Sequence, residues 1–428
     1  ALGDQLGLAT EDLFNYYSGL ADVALAETFA DQAVALAEVI RGQGGKTLSM
    51  DVSVLGDPSG PVEVSKHEVA EAGGSSIDAA IAAGDENAAM QIMGAGAAAK
   101  AVELFQAGRI QGVIVLGGTM GTDLALDVCA ALPLGVPKYV VSTVSFSAML
   151  PPERLAADIQ MILWAGGLYG LNSVCKSSLS QAAGAVLGAA RAAEPPRADR
   201  PLIGMTSFGK TILHYMVTLK PELEKRGYEV AVFHATGMGG RAFESLAAQG
   251  AFACVMDFAT QEIVNHHMGS GISAGADRAT NAGRRGIPQI VSSACYDLVD
   301  LIGWQPMPPR LQGRPTHAHN RLLTSVVLDR AERVEIAQLL GEKLAQATGP
   351  SAFVLPLQGG NEWDRPGGPL HDGEGLAAFN AAMQAAIPAT TTLHSLDCHI
   401  NDAAFCEKVL AIFDTWVAQG VVPAGQPA

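Results

Sequence analysis

Apolar residues in this chain collect in short runs, and between the runs they recur at every third or fourth position. Runs such as "GVIVLGG", "PKYVVST", "EVAVFHAT" and "PQIVSS" are rich in β-branched residues and end in glycine, serine or threonine. They read as strands, and the Ala-rich periodic stretches between them read as helices. In the first half this predicts strands near 22–26, 47–52, 112–116 and 138–142, with helices at about 30–42, 86–107 and 122–131. The segment 153–192 reads as mainly helical, broken by "AGGLYGLN". At 192–201 "AAEPPRADRP" is rich in proline and charge and has no period, so it reads as a linker. The alternation then resumes with "LIGMTS", "EVAVFHAT", "FACVMDF", "PQIVSS" and "SAFVLPL". The expected architecture is α/β: two doubly wound Rossmann-like domains, 1–195 and 196–428, with mostly parallel sheets and an interdomain cleft.

Composition narrows the partners. Of the 428 residues 49% are apolar and 16% charged, a profile that builds buried cores. The formal charge of −16 excludes an extended nucleic-acid or anionic-membrane surface, though local basic groups can still hold one small anion. The six cysteines are scattered without a C-x-x-C pair, which fits reduced thiols in a cytoplasmic protein. No apolar run approaches the roughly 20 residues that span a bilayer, and the first residues lack the basic start of a signal peptide.

Loops that follow strands are where doubly wound folds bind ligands, because helix N-termini gather there. In "GVIVLGGTMGTDLAL", Gly117, Gly118 and Gly121 let backbone N–H groups approach an anion, and Thr119 and Thr122 add hydroxyls. Ser142 and Thr143 form a hydroxyl-rich strand end of the same kind. "FHATGMGGRAFE" repeats the device with Gly237, Gly239 and Gly240. "GSGISAGADR" adds Ser273, Gly275 and Arg278, whose guanidinium is suited to grip a carboxylate or to bridge Glu262.

One spelling invites a different reading. "GMTSFGKT" at 204–211 matches G-x-x-x-x-G-K-[ST], and Asp257 ends an apolar run downstream as a magnesium-holding residue would. The run before it is short, however, and the loop carries bulky Met205 and Phe208. A P-loop is therefore the weaker reading of this match.

Seven segments in order carry a resemblance: "DVSVLGDP", "GVIVLGGTMGT", "LPLGVPKYVVST", "VFHATGMGGRAFE", "GISAGADR", "GIPQIVSSACYDLV" and "HINDAAF". Together they resemble the tomato mosaic virus resistance (Tm)-like ATP-binding family, over about residues 22–418. The resemblance implies two Rossmann-like domains, a homodimer or higher homo-oligomer, and ATP held by the first domain. It also implies that 204–211 is a Rossmann-like ligand loop with an accidental P-loop spelling, in which Thr206 and Ser207 face the cleft. In "LAETFADQ", Phe29 and Ala30 stand where the family carries Lys and Gly, and this weakens the implied phosphate loop. Some anion site is still expected, because the 117–122 loop is intact.

The expected function is binding of a small anionic ligand: a nucleotide, a phosphorylated metabolite or an oxo-acid. An alternative is a hydrolase or lyase on an oxo-acid, in which His319 or His399 acts as base and Glu262 assists. A regulatory interaction protein is the third reading. "THAHN" and "LDCHIND" also allow a His/Asp metal site, but histidines satisfied by backbone contacts are the stronger expectation and no metal is assigned.

Overall fold

The computed structural model describes residues 31–56, 62–167, 170–194 and 199–426, without the side chains of Lys210 and Thr211. The chain divides into two compact units, Ala1–Pro196 and Arg197–Ala428. The expected strand at 22–26, and Phe29 and Ala30, lie outside the described residues.

In the first unit β1 (Val113–Gly117), β2 (Lys138–Ser142) and β3 (Ile159–Leu163) form a parallel sheet in the order β1-β2-β3. Leu124 and Val128 of helix Thr119–Ala131 pack with Met93 and Leu104 of helix Glu86–Gln106 in one core. A second core joins Leu36 and Ile40 of the 31–42 helix to Leu179 and Val186 of helix Ser173–Ala192. The helix expected at 122–131 starts at Thr119, directly after the strand-end glycines.

Two expectations need correction here. Residues 47–52 form no strand of their own and make only one parallel bridge, Met50 to Val64. Leu48, Met50, Val52 and Val54 still alternate inward onto the core, which is what gave the segment its strand pattern. Within 153–192, the run "IQMIL" is β3 rather than helix. A five-residue apolar run fits either element, and pairing with β2 decides it.

In the second unit six strands lie parallel in the order β12-β11-β7-β6-β4-β5. These are β4 (Leu202–Ser207), β5 (Glu229–His234), β6 (Cys254–Ala259), β7 (Gln289–Ala294), β11 (Ser351–Pro356) and β12 (Thr391–Leu396). Between β7 and β11 the chain inserts an antiparallel sheet of β8 (Leu298–Ile302), β9 (Thr316–Ala318) and β10 (Leu323–Val327).

Helices Leu213–Lys225 and Ala403–Ala418 cover one face of the parallel sheet, and Gln261–His267, Arg330–Leu344 and Gly373–Ala386 the other. The central strands β6 and β7 are buried at every residue, so their sequences are continuous rather than alternating. Strand order reverses at β4, where β5 lies on one side and β6 on the other. The carboxyl ends of β4 and β6 therefore flank a topological switch point, where folds of this type bind ligands.

Candidate functional site

The structure gathers the predicted residues into groups within each unit. In the first, β1 runs into Gly117 and Gly118, and a helix starts at Thr119. A Cβ on Gly117 would lie 2.6 Å from Gly121 Cα, and one on Gly121 would lie 3.1 Å from the Leu116 carbonyl. Those two glycines are thus required by strand–helix packing. Gly118 differs: a Cβ there would meet nothing nearer than Thr143 Oγ1 at 3.8 Å.

Ser142 and Thr122 are fully buried and bonded to each other, hydroxyl to hydroxyl, at 2.6 Å. Thr122 Oγ1 also bonds the Gly118 carbonyl (2.5 Å), and Ser142 Oγ accepts the Val144 N–H (3.0 Å). Both were expected to contact ligand; instead they tie β2 to the turn. Thr119 is exposed and Thr143 half-buried, and neither hydroxyl makes a hydrogen bond among the described residues.

Helix Thr119–Ala131 has no side-chain cap and no acidic residue in its first turn, so its leading N–H groups remain available to an anion. Beside it lies a cavity of about 410 Å³ lined by Met90, Thr119, Met120, Val144, Met149 and Arg154, among others. Arg154 is itself paired with Asp123 and Asp127.

In the second unit the predicted anion site is filled by the protein. Glu262 is fully buried, and its Oε1 accepts the N–H groups of Gly237 (2.6 Å) and Gly240 (3.0 Å) at the start of helix Met238–Ala248. A Cβ on Gly240 would stand 1.7 Å from Glu262 Oε2, and one on Gly239 1.8 Å from the His234 carbonyl. The glycines do admit a carboxylate to a helix N-terminus, as their spacing predicted, but the carboxylate is internal.

Arg278 stands behind it, fully buried, with all five N–H donors in use. Nε binds Glu262 Oε2 (2.7 Å), Nη1 binds Asp257 Oδ2 (2.5 Å) and Glu244 Oε1 (3.2 Å), and Nη2 binds Asp257 Oδ1 (2.7 Å) and the Ala259 carbonyl (3.0 Å). The guanidinium also lies over the Phe243 ring at 5.5 Å. Nothing remains to grip a ligand, so the bridge to Glu262 is its role.

Asp257 is committed as well. It faces Arg278 and accepts the Thr206 hydroxyl (2.7 Å), while Thr206 Oγ1 accepts the Ala259 N–H (3.0 Å). Thr206 thus sews β4 to β6 and is sealed from solvent, and Ser207 is buried beside it. Ser273 bonds His266 Nδ1 (3.1 Å) and caps Gly275, which sits at φ +100°. One guanidinium serves three buried carboxylates, and burial pushes Glu244 up to about 7 and raises Glu262.

The two histidines expected as bases part company. His399 is fully buried: Nδ1 accepts the Asn401 N–H (3.1 Å), so Nε2 carries the proton and faces Asp364 Oδ1 and the Asn361 carbonyl, each at 2.9 Å. It is a satisfied structural imidazole, not a base awaiting substrate. His319 is exposed and belongs to a set of rings that the sequence gave no reason to join. Its ring centroid is 4.9 Å from His317, 5.1 Å from Trp363 and 6.3 Å from Phe208, and Phe208 lies 5.9 Å from His234. Among the described residues no group of three or more His, Cys, Asp or Glu side chains is placed to hold a metal ion.

This is a two-unit α/β protein whose second unit is doubly wound and whose strand-end loops carry most of its polar chemistry. The chain belongs to the UPF0261 family. Residues 22–195 match the model described as "Uncharacterised protein family (UPF0261) N-terminal domain", and residues 200–417 match the corresponding C-terminal domain. It is 51% identical over 406 residues to a UPF0261 protein of Brucella melitensis, covering 95% of this chain and 97% of that one. A UPF0261 protein of Clostridium tetani is 34% identical, with 89% and 94% covered. The ToMV resistance protein Tm-1(GCR237) of Solanum lycopersicum is 30% identical over 312 residues, 71% of this chain and 41% of that protein.

Proposed function

We propose that the protein binds a small anionic metabolite (a nucleotide, a phosphorylated compound or an oxo-acid) through the Gly118 loop of its first unit. The supporting observation is the contrast between the two glycine loops. The loop at 237–240 already holds Glu262, whereas the helix start at Thr119 has no cap, no first-turn acid and open space over Gly118. The adjoining cavity is lined by apolar side chains together with Glu86, Asn87, Thr119, Asp123 and Arg154, of which Asp123 is paired with Arg154. It suits a ligand that places its anion at the Gly118 loop and an apolar body beyond it.

Calorimetry of the full chain with inorganic phosphate, Mg-ATP and a panel of 2-oxo acids tests the reading. Gly118→Val is expected to abolish the binding found for the wild type while the melting temperature holds. Unchanged binding by a folded Gly118→Val protein overturns it. ATP itself is expected to bind more weakly than about micromolar, because Phe29 and Ala30 replace a cationic and a flexible residue; a tighter constant removes that expectation. Lys210→Ala is expected to leave affinity within a few-fold, whereas a true P-loop lysine would lose far more.

The hydrolase or lyase alternative loses two of its three groups, since Glu262 and His399 are hydrogen-bonded inside the chain. Self-association belongs to the proposal too, and a monomer mass by light scattering removes it.

A further inference from the structure

The second unit places three histidines from distant segments against two further rings. His234 ends β5, His317 and His319 belong to β9 and the turn after it, Phe208 follows β4, and Trp363 lies in the loop after β11. The His317 ring lies 4.1 Å from the Trp363 ring at an interplanar angle of 31°, close to stacked. Gly209, at φ +58°, turns the chain beside His234: a Cβ on it would come 3.6 Å from His234 Nε2. The set stands at the carboxyl end of β4, one side of the switch point.

No ring nitrogen of these three histidines has a hydrogen-bond partner among the described residues, whereas His266, His267, His371 and His399 each have one. Of the two carboxylates that flank Trp363 in sequence, Asp364 is occupied by the Gly360 N–H and by His399, and Glu362 accepts the Asn401 side-chain amide (3.0 Å). An anionic group seated among these rings would meet imidazole nitrogens that are not already bonded within the chain.

We propose that His234, His317 and His319, with Phe208 and Trp363, form a second ligand site, in unit 2, for the carboxylate of a small planar acid. The rings receive the plane of the ligand and the imidazoles its charge. Binding takes up a proton. Partial desolvation among the rings holds the otherwise exposed His234 and His319 below the ordinary histidine range, and the neighbouring histidines lower His319 further, so both are mainly neutral at pH 7. A bound carboxylate favours the imidazolium and draws a proton in; affinity therefore rises as pH falls.

The test is titration of the full chain with benzoate, acetate and inorganic phosphate at pH 5.5 and 7.5, in buffers of different ionisation enthalpy. Benzoate is expected to bind about tenfold tighter at pH 5.5 with net proton uptake, and at least about tenfold tighter than acetate or phosphate. His319→Gln, an exposed change that leaves folding intact, is expected to lower benzoate affinity about tenfold and to reduce the proton uptake. Gly118→Val is expected to leave benzoate binding unchanged, which separates this site from the one in unit 1. Affinity independent of pH, equal binding by His319→Gln, phosphate binding to the Gly118→Val protein as tight as that of benzoate, or loss of benzoate binding in Gly118→Val each overturn the proposal.

Discussion

At the scale of single residues, the same residue type does opposite work in the two units. Gly240 is a glycine because Glu262 must come close, and Gly118 is one although its surroundings leave room for more. Gly240→Ala is therefore expected to destabilise the second unit markedly, and Gly118→Ala to change stability by less than about 0.5 kcal/mol, as urea unfolding would show. Arg278 gives the sharper case. Its five donors form a planar fork onto Asp257, Glu262, Glu244 and the Ala259 carbonyl, and a lysine ammonium cannot reproduce that geometry. Removing the charge leaves buried carboxylates uncompensated, so Arg278→Ala is expected to cost about 3–5 kcal/mol, and Arg278→Lys, which keeps the charge but not the fork, to recover only part of that. A loss below about 1 kcal/mol in urea would mean that the cluster contributes little. The sequence did show that Arg278, Glu262 and the glycines belong to polar strand-end loops. It did not show that they face one another rather than a ligand, because facing is decided by the packing of β6 against the 237–240 and 273–278 loops.

At the scale of elements, what the sequence announced depended on burial. The inner strands β4, β6, β7 and β11 were legible, since strands covered on both faces become continuous apolar runs. The strand β12, "TTLHSL", lies at the sheet edge with mixed burial and carries too few apolar residues to stand out. The antiparallel insert of β8, β9 and β10 was missed for a related reason: β9 has three residues, and pairing with β10 rather than hydrophobicity defines it. The ring cluster of His234, His319 and Trp363 depends on that insert, so no local signal announced it. Helix starts rest on local chemistry of a different kind. Helix Arg330–Leu344 begins with a reciprocal capping box, in which Asp329 Oδ1 accepts the Glu332 N–H (3.0 Å) and Glu332 Oε2 accepts the Asp329 N–H (2.8 Å). Arg314 clamps both carboxylates. Asp329→Ala is expected to cost about 1–2 kcal/mol, and Asp329→Asn well under half of that, because Asn still caps. Equal losses for the two would assign the stabilisation to the ion pair with Arg314 instead.

At the scale of the whole molecule, the buried acids give stability a pH dependence of definite sign. Burial pushes Glu244 up to about 7 and Asp297 and Asp300 up to about 6, and it raises Glu262. Asp364 adds to the burial effect at Asp297, one carboxylate opposing the ionisation of the other. Each of these groups binds its proton more tightly folded than unfolded. Their contribution is complete below about pH 4, the range of unfolded carboxyls, and is lost as pH rises through 6 and 7. Inside that window each group costs about 1.4 kcal/mol per pH unit while the folded state holds a proton that the unfolded state has released. The formal charge of −16 acts in the same direction, since self-repulsion grows as the remaining protons leave. Groups held low work the other way: Asp402, Glu68 and Glu222, whose contributions disappear only in stronger acid, and His234, His319 and His394, whose contributions are lost as pH falls below the ordinary histidine range. All of these are partly or fully exposed, so the buried acids outweigh them. The melting temperature is therefore expected to be highest near pH 5 and to fall steadily towards pH 8. Asp300→Asn supplies the control. Asp300 Oδ1 accepts the Ser325 hydroxyl at 2.5 Å, and an asparagine oxygen can take the same bond without a charge to desolvate. The variant should be less sensitive than the wild type between pH 4 and 6 and should match its slope above 7. A wild-type melting temperature that rises from pH 5 to 8 would show that these carboxyls stay ionised in the fold, with Arg278 and their hydrogen bonds outweighing burial.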